Sequence, residues 1–332
     1  MAGADPAGPP SSSSGGLRPG GDDEFTVIER LRERFEAHGG AVAPGDLGIG
    51  DDAAVVTLPD GGQVVLATDL VVDGVHVDRG VSAPEDIGWK ALMVTVSDLA
   101  AMGTAPDYAL LSVVVPAGFP VERLAEGVAQ AAEAVGCRVV GGDLSGGDVL
   151  VVSVTAVGAV PDDGLPLLRR SGAAPGDHLF ATGPVGGSAA GLRLLGSGRA
   201  AAPPEGPIIS QLRPVARVAE GRVARRAGAS AAIDVSDGLG VDAVHLAEAS
   251  GVGLALVVVD GLVAEGATRL EALTGGEDYE LVVATPHPDR LIEAFGRNGL
   301  RTPLRLGRCV EPGRGITLDG DPLPAGGWSH RW

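Results

Sequence analysis

Aspartates are the residues of this chain whose placement points most directly to chemistry. Most of them stand beside glycine at the end of an apolar run. The acidic segments are Gly50-Asp51-Asp52, Thr68-Asp69, Ser97-Asp98, Gly142-Asp143, Asp234-Val235-Ser236-Asp237-Gly238 and Gly276-Glu277-Asp278. A solvated charged face would mix acids with lysines and arginines at helical spacing, whereas these segments contain almost no compensating base. The pattern favours a functional set of carboxylates over a surface stripe.

Such a set would need a cation if its members converged. Two carboxylates about 4 Å apart repel by roughly 4 kcal/mol at an effective dielectric of about 20. A metal ion or a shifted protonation state would relieve this repulsion, and oxygen ligands without His or Cys suit a hard cation such as Mg²⁺. Any single Asp-Gly pair has an alternative reading as a turn or helix cap. Together, the six segments indicate an enzyme that handles a divalent metal and phosphate.

Four further features could contact a ligand. Residues 182–188 form a glycine-rich loop between a predicted strand and helix, which could receive a phosphate or could be a tight turn capped by its serine. Arg169 and Arg170 could bind phosphate oxygens or form an exposed pair at a domain junction. His76 could contact substrate. Trp328 could stack on a planar ligand or could close the last strand as an apolar plug.

The charge balance restricts the class of partner. The 332 residues include 43 acidic and 25 basic side chains, giving a formal net charge of −18, which argues against nucleic acid or an anionic membrane as a partner. Lys90 is the only lysine, so a P-loop with its phosphate-binding lysine is absent. The start of the chain lacks the pattern of a signal peptide and no apolar run reaches membrane length, so we expect a cytoplasmic protein.

Periodicity predicts two αβ domains and an α/β (α+β) fold class. We expect a disordered tail over 1–23, an N-terminal αβ domain over 24–160 that carries most of the acidic segments, a connection over 161–175 and a C-terminal αβ domain over 176–332. The predicted helices are 24–38, 84–101, 121–135, 188–195, 215–227, 241–250 and 288–296. The predicted strands are 53–58, 63–68, 70–77, 109–115, 138–140, 149–159, 178–181, 252–259, 281–284, 304–310 and 316–318.

Taken in order, these segments resemble the thiamine-monophosphate kinase family, within the wider superfamily of aminoimidazole ribonucleotide synthetase-like enzymes that use ATP. The resemblance spans nearly the whole chain after residue 24. The matching motifs are Gly48-Ile49-Gly50-Asp51-Asp52-Ala53-Ala54, Thr68-Asp69, Asp73-Gly74-Val75-His76, Trp89-Lys90-Ala91-Leu92, Ser97-Asp98-Leu99-Ala100-Ala101-Met102-Gly103, Gly141-Gly142-Asp143, Arg170-Ser171-Gly172, Asp234-Val235-Ser236-Asp237-Gly238-Leu239 and Leu273-Thr274-Gly275-Gly276-Glu277-Asp278-Tyr279-Glu280-Leu281.

The resemblance implies direct transfer of the γ-phosphoryl of ATP to the phosphate of thiamine monophosphate, giving thiamine diphosphate. The residues it assigns to several Mg²⁺ ions are Asp52, Thr68, Asp69, Asp98, Asp143, Asp234 and Asp237, with Asp98, Asp143 and Asp237 as the catalytic members. It assigns Gly142, Asp143, Arg170 and Ser236 to ATP. It assigns His76, Glu277 and Trp328 to thiamine monophosphate, where Glu277 could balance the thiazolium cation. No general base is needed, because the acceptor phosphate is already ionised.

The resemblance also implies a homodimer in which the N-terminal domains pair through their strands and each C-terminal domain folds over its own. Two departures from the family pattern affect the metal and ATP contacts. Ala67 stands where a hydroxyl residue often precedes the Thr-Asp pair, and Leu144 to Gly147 replace two threonines and an arginine. The alternatives are a sister enzyme of the same superfamily and a non-catalytic protein that has kept only metal or nucleotide binding.

Overall fold

A computed structural model describes residues 24–40, 42–198 and 206–328. The predicted tail over 1–23 and the last four residues lie outside these ranges. The helices are α1 Glu24–Phe35, α2 Pro84–Ala101, α3 Val121–Val135, α4 Gly187–Gly196, α5 Pro207–Leu212, α6 Val218–Arg226, α7 Leu239–Ser250, α8 Arg269–Thr274 and α9 Pro288–Arg297. The strands are β1 Ala54–Thr57, β2 Gln63–Val72, β3 Tyr108–Val115, β4 Arg138–Gly146, β5 Val151–Ala159, β6 His178–Ala181, β7 Ala231–Asp234, β8 Gly253–Leu256, β9 Leu281–Thr285, β10 Leu304–Val310, β11 Ile316–Leu318 and β12 Asp321–Pro322.

The first half of the described chain folds around a sheet with strand order β1-β2-β5-β3-β4. All its pairings are antiparallel except that of β3 with β4. Alternate residues of β2, β3 and β5 are buried, because one face of the sheet packs against α2 and α3. Because α2 and α3 pack against this face, the N-terminal core lies between the strands and α2.

The opposite face of the first sheet, which we call the open face, carries exposed apolar side chains. Leu70 is 56% exposed, Tyr108 41% and Leu110 44%. Thr68 and Thr155 also lie there, with their hydroxyl oxygens 3.0 Å apart across paired strands. Every residue of the edge strand β4 is exposed. An apolar face of this extent is typical of a surface that another protein covers.

The second half folds around a sheet with strand order β12-β11-β8-β10-β6-β9-β7. Helix α7 packs against one face, and α6 and α9 pack against the other. Strand β9 shows the two-sided burial: Val282 and Ala284 belong to the α7 side, whereas Leu281 and Val283 belong to the α6 side. The chain is therefore an α/β protein with two sheets, as the sequence predicts.

Helix α2 joins the two halves. It contacts β2, β5 and α3 on one side and α6 and β7 on the other. A helix that is covered on all sides needs apolar residues around its whole circumference. In agreement, α2 has an unbroken run of buried residues from Lys90 to Ser97. Polar residues on this helix, which include Lys90, Ser97 and Asp98, are thus held inside the molecule.

Several predicted elements have different bounds in the structure. The expected separate strand over 70–77 is wrong, because β2 continues without a break to Val72 while it pairs with β5. The expected short strand over 138–140 is also wrong, since β4 runs to Gly146 alongside β3. In β2, pairing with β5 carries the strand through Asp69, and in β4, pairing with β3 carries it through Gly141, Gly142 and Asp143, residues whose own β propensity is weak.

Helices α5 and α8 were not predicted, because six residues are too few to show a helical period. Helix α8 does carry a local signal. Thr268 accepts a hydrogen bond from the backbone of Glu271, and the side chain of Glu271 accepts one from the backbone of Thr268, which completes a capping box. None of the helices in the described ranges is long and apolar enough to cross a membrane.

We expect Gly127→Ala to destabilise the protein by about 1–3 kcal/mol, because an added methyl group would overpack the contact between α2 and α3. A Cβ at Gly127 would lie 1.8 Å from the carbonyl oxygen of Glu85, and one at Gly88 would lie 2.0 Å from that of Leu124. The matched control is Gly296→Ala near the end of α9, where nothing lies within 4 Å. Denaturant unfolding that shows equal effects for the two variants would contradict this packing argument.

Candidate functional site

Three carboxylates converge where the two halves of the molecule meet. One oxygen each from Asp52, Asp98 and Asp234 lies within 4.8 Å of the others. Asp52 stands just before β1, Asp98 lies in the last turn of α2, and Asp234 is the final residue of β7. The Ser97 hydroxyl donates a 2.6 Å hydrogen bond to Asp234 Oδ2, which ties α2 to β7 beside the group. We call these three residues the acidic cluster.

Burial dominates the electrostatics of the acidic cluster. It raises the pKa of Asp52 to about 8, with Asp234 and Asp51 adding to the effect and Arg170 opposing it. Burial also raises the pKa of Asp234 to about 6, and it raises that of Asp98 well above the usual range, with Asp69 as the next contribution. Carboxyl groups in this position take up protons unless another cation balances them.

One cation from the protein contacts the cluster. Arg170 donates from Nε and Nη2 to Asp52 Oδ1, at 2.9 and 2.7 Å. Its backbone N–H also donates to Asp51 Oδ1 at 3.1 Å. Arg170, which is predicted to contact ATP, thus forms an ion pair with Asp52, which is predicted to bind metal. A single guanidinium cannot balance three carboxylates, so the cluster keeps capacity for further positive charge.

The donor set fits a hard divalent cation. Asp52 Oδ2 and Asp69 Oδ2 are buried and have no hydrogen-bond partner within the described part of the chain. Buried carboxylate oxygens without partners are costly, and a metal ion would satisfy them. All the candidate donors are oxygens, the atoms that Mg²⁺ prefers in proteins.

A cavity of about 640 Å³ opens beside the acidic cluster. The predicted site residues that line it are Asp69, His76, Asp98, Asp234, Ser236, Asp237, Glu277 and Trp328. The fold thus brings candidates for metal, nucleotide and thiamine phosphate to one cavity from segments far apart in the sequence. Asp52 and Arg170 adjoin this group through the acidic cluster without lining the cavity.

Backbone contacts fix the loops that carry these side chains. Val72 N–H donates to His76 Nδ1 at 3.1 Å, which leaves the proton of the neutral imidazole on Nε2. Asp242 Oδ2 accepts from the N–H groups of Asp237 and Gly238, and so holds the turn that begins α7. Trp328 N–H donates to the carbonyl oxygen of Asp237 at 2.9 Å, which anchors the C-terminal segment beside the same turn.

Thr68, Gly142 and Asp143 are not brought to the cavity of the same chain. Asp143 lies opposite Ser112 in the pairing of β4 with β3, and Thr68 lies opposite Thr155 in the pairing of β2 with β5. Strand alternation places Thr68 and Asp143 on the open face, whereas Asp69 points to the covered face. Gly142 has φ +153°, and a Cβ there would lie 1.7 Å from the carbonyl oxygen of Leu111.

The glycine-rich loop over 182–188 already has an anionic partner. Asp278 accepts hydrogen bonds from the backbone N–H groups of Gly186 and Ser188, at the N-terminus of α4. The Ser188 hydroxyl donates to Gln211 instead of capping the helix. The loop is a tight strand-to-helix turn, but the expected serine cap is wrong, because Ser188 bonds Gln211. The N–H groups of Gly186 and Ser188, which could have received a phosphate, are bound to Asp278.

Lys90 and Gln211 are neighbours of the cavity that the sequence analysis did not identify. Lys90 Nζ lies 2.7 Å from Glu277 Oε1, and Gln211 Nε2 donates to Glu277 Oε2 at 3.1 Å. Glu277 therefore already has a counter-ion within the protein. If the Glu277 carboxylate also balances the charge of a thiazolium cation, it would do so while it is paired with Lys90. The signal for Lys90 was its presence as the only lysine in an apolar helix. Gln211 gave no signal, because α5 itself was not predicted.

Comparisons with known proteins identify the family of the chain. Residues 50–160 match the family model for AIR synthase related protein, N-terminal domain. The chain is 38% identical over 273 residues to the thiamine-monophosphate kinase of Bacillus subtilis, covering 78% of this chain and 82% of that one. It is 36% identical over 322 residues to the thiamine-monophosphate kinase of Aquifex aeolicus, covering 92% and 97%.

Structural comparison leads to the same family. A solved structure described as AaThiL complexed with AMPPCP and TMP superposes with a TM-score of 0.79 at 33% identity, covering 93% of this chain and 97% of that one. Sequence identity at this level over most of both chains shows common family membership and not only a shared fold. The chain belongs to the thiamine-monophosphate kinase family.

Proposed function

We propose that this protein transfers the γ-phosphoryl group of ATP to thiamine monophosphate, in a Mg²⁺-dependent reaction that yields thiamine diphosphate and ADP. The observation that carries the proposal is the single cavity shared by the candidate metal ligands and the candidate acceptor contacts His76, Glu277 and Trp328. Family membership gives the substrate class. The use of ATP supports a cytoplasmic location for the enzyme.

The buried carboxylates are the proposed holders of Mg²⁺. Asp52, Asp69, Asp98, Asp234 and Asp237 would bind the ions. Thr68 and Asp143 also belong to the proposed set of ligands, but their side chains lie on the open face, away from the acidic cluster of the same chain. Bound Mg²⁺ would supply charge neutralisation for two polyanionic substrates that otherwise repel each other. Burial raises the pKa values of Asp52 and Asp234 in spite of the opposing effect of Arg170, and a bound cation would stabilise their ionised forms, which supports this role.

The remaining site residues would orient the two substrates. Gly142, Asp143, Arg170 and Ser236 are proposed for ATP, and His76, Glu277 and Trp328 for thiamine monophosphate. With Val72 bound to Nδ1, His76 has an Nε2–H group that can donate to a phosphate oxygen. The half-exposed ring of Trp328 lines the cavity and can stack on a planar heterocycle. In this proposal the protein accelerates the reaction by positioning the two substrates, since the acceptor oxygen needs no deprotonation.

We also propose that the protein is a homodimer that covers the open face. Leu70, Tyr108 and Leu110 project from that face, and the edge strand β4 is exposed along its whole length. A second copy could bury these groups and place residues near Gly142 and Asp143. This arrangement would explain why two predicted ATP contacts lie away from the cavity within one chain.

The direct test of the function is product formation. Purified protein with ATP, Mg²⁺ and thiamine monophosphate is expected to give thiamine diphosphate and ADP in equal amounts, measured by chromatography. Unphosphorylated thiamine is the matched control substrate and should give no product, because it offers no phosphate acceptor. A folded protein that forms no thiamine diphosphate above the level of a protein-free control would refute the proposal.

We expect Asp98→Asn to lower kcat by about a hundredfold or more, because a Mg²⁺ ligand between the two halves of the site is lost. The apo protein should keep its stability, since the change removes a buried carboxylate from among like charges. The stabilisation of the wild type by added Mg²⁺, measured by thermal unfolding, should fall in the variant. Asp60→Asn, in an exposed turn, is the matched control. An unchanged response to Mg²⁺ in Asp98→Asn would refute this ligand role.

The dimer proposal has its own test. Leu110→Asp places a charge on the open face and is expected to convert a wild-type dimer into a monomer, measured by sedimentation equilibrium. Leu270→Asp is the control, because Leu270 is 65% exposed on α8, away from the open face. A monomeric wild type, or a Leu110→Asp variant that still dimerises, would argue against pairing through this face.

A further inference from the structure

Lys90 is a buried cation that the proposed reaction does not use. It is the only lysine of the chain, lies on α2 and is 1% exposed. Burial of an ammonium group is costly unless charge and hydrogen bonding compensate for it. At this exposure the Nζ group cannot reach a substrate phosphate in the cavity, which excludes Lys90 as a phosphate clamp in the described structure. Its function must lie in the groups that it contacts.

Both polar contacts of Lys90 lead to segments that line the cavity. Nζ lies 2.7 Å from Glu277 Oε1 and donates to the carbonyl oxygen of His76 at 3.2 Å. His76 belongs to the turn after β2, and Glu277 belongs to the segment between α8 and β9. Two of the three residues proposed to contact thiamine monophosphate are thus connected through one ammonium group.

The Glu277 segment depends on such external contacts. Glu277 has φ +67° and Tyr279 has φ +51°, conformations that non-glycine residues adopt at an energetic cost. The N–H of Glu277 donates to the carbonyl oxygen of Ser236 at 2.7 Å. Its two carboxylate oxygens are bound separately, one to Lys90 and the other to Gln211. The side chain stays partly exposed at the cavity wall, with its orientation set from both sides.

We propose that Lys90 is a positioning residue for the acceptor substrate, which fixes the Glu277 carboxylate and the His76 turn in the orientation that thiamine monophosphate requires. The proposal rests on the proposed function for the identity of that substrate. Lys90 contacts neither Gly142 nor Arg170 in the described structure, so its effect should be confined to the acceptor side. An ammonium can serve a carboxylate and a carbonyl at once, whereas a neutral side chain leaves both without their donor.

The test compares Lys90→Met with Arg225→Met. Arg225 is a matched control, because it is also a buried cation, 3% exposed, and pairs with Asp163 and with the carbonyl oxygens of Leu165 and Pro166 away from the cavity. Two measurements are made on each variant. One is the KM for thiamine monophosphate and for ATP, and the other is amide hydrogen exchange of the intact protein.

For Lys90→Met, we expect the KM for thiamine monophosphate to rise about tenfold or more, which corresponds to the loss of a charged hydrogen bond, while the KM for ATP changes by less than about threefold. Amide exchange should accelerate in peptides covering 72–77 and 275–281, but not in strand β8. Arg225→Met should leave both KM values and both peptides close to wild type. Lys90→Arg, which keeps the charge but not the shape, should have a smaller effect in the same direction.

The proposal is overturned if Lys90→Met changes neither the exchange of the two peptides nor the KM for thiamine monophosphate. It is also overturned if the two KM values rise equally, or if Arg225→Met gives the same pattern. If Lys90→Met does not fold, the same two measurements on Lys90→Arg test the proposal by the same criteria. A wild type that makes no thiamine diphosphate would refute the proposed function, and hydrogen exchange would then decide alone whether Lys90 positions the two segments.

Discussion

Repulsion among buried carboxylates is the constraint on which the rest of this structure depends. Asp52, Asp98 and Asp234 place oxygens within 4.8 Å of one another, with only Arg170 as a cationic contact from the described chain. Such a group favours either protonation or a bound cation, since each ionised carboxylate raises the pKa of the next. In the proposed function, a bound divalent ion would relieve this repulsion.

Helix α2 makes the arrangement possible. It is buried on all sides between the first sheet, α3, α6 and β7, so its polar residues cannot turn towards solvent. Two of them meet a partner from another part of the fold: Lys90 pairs with Glu277, and Ser97 with Asp234. One rigid helix thus sets the position of the acidic cluster and, through Lys90, of the cavity wall that carries Glu277.

The local elements could largely be predicted because their signals are local. The bounds of α3 follow from its helical periodicity and from Gly136 at its end, whereas the start of α2, which is apolar on all sides, is marked by Pro84. The errors in β2 and β4 show the limit of such reasoning, since cross-strand pairing carried β2 through Asp69 and β4 through Gly141, Gly142 and Asp143, where the local signal for a strand is weak. Helices α5 and α8 were too short to produce a period.

The sequence by itself determined the residue types of the site, their order along the chain and the family, because spacing within each motif survives without knowledge of the fold. Only the tertiary structure decided which of these residues meet. It brought Asp52, Asp98 and Asp234 together and placed Asp143 on the open face. It also placed the Asp278 carboxylate against the backbone N–H of Gly186 in the glycine-rich loop. Contacts between distant segments depend on how helices and sheets pack, and no local pattern of residues encodes that packing.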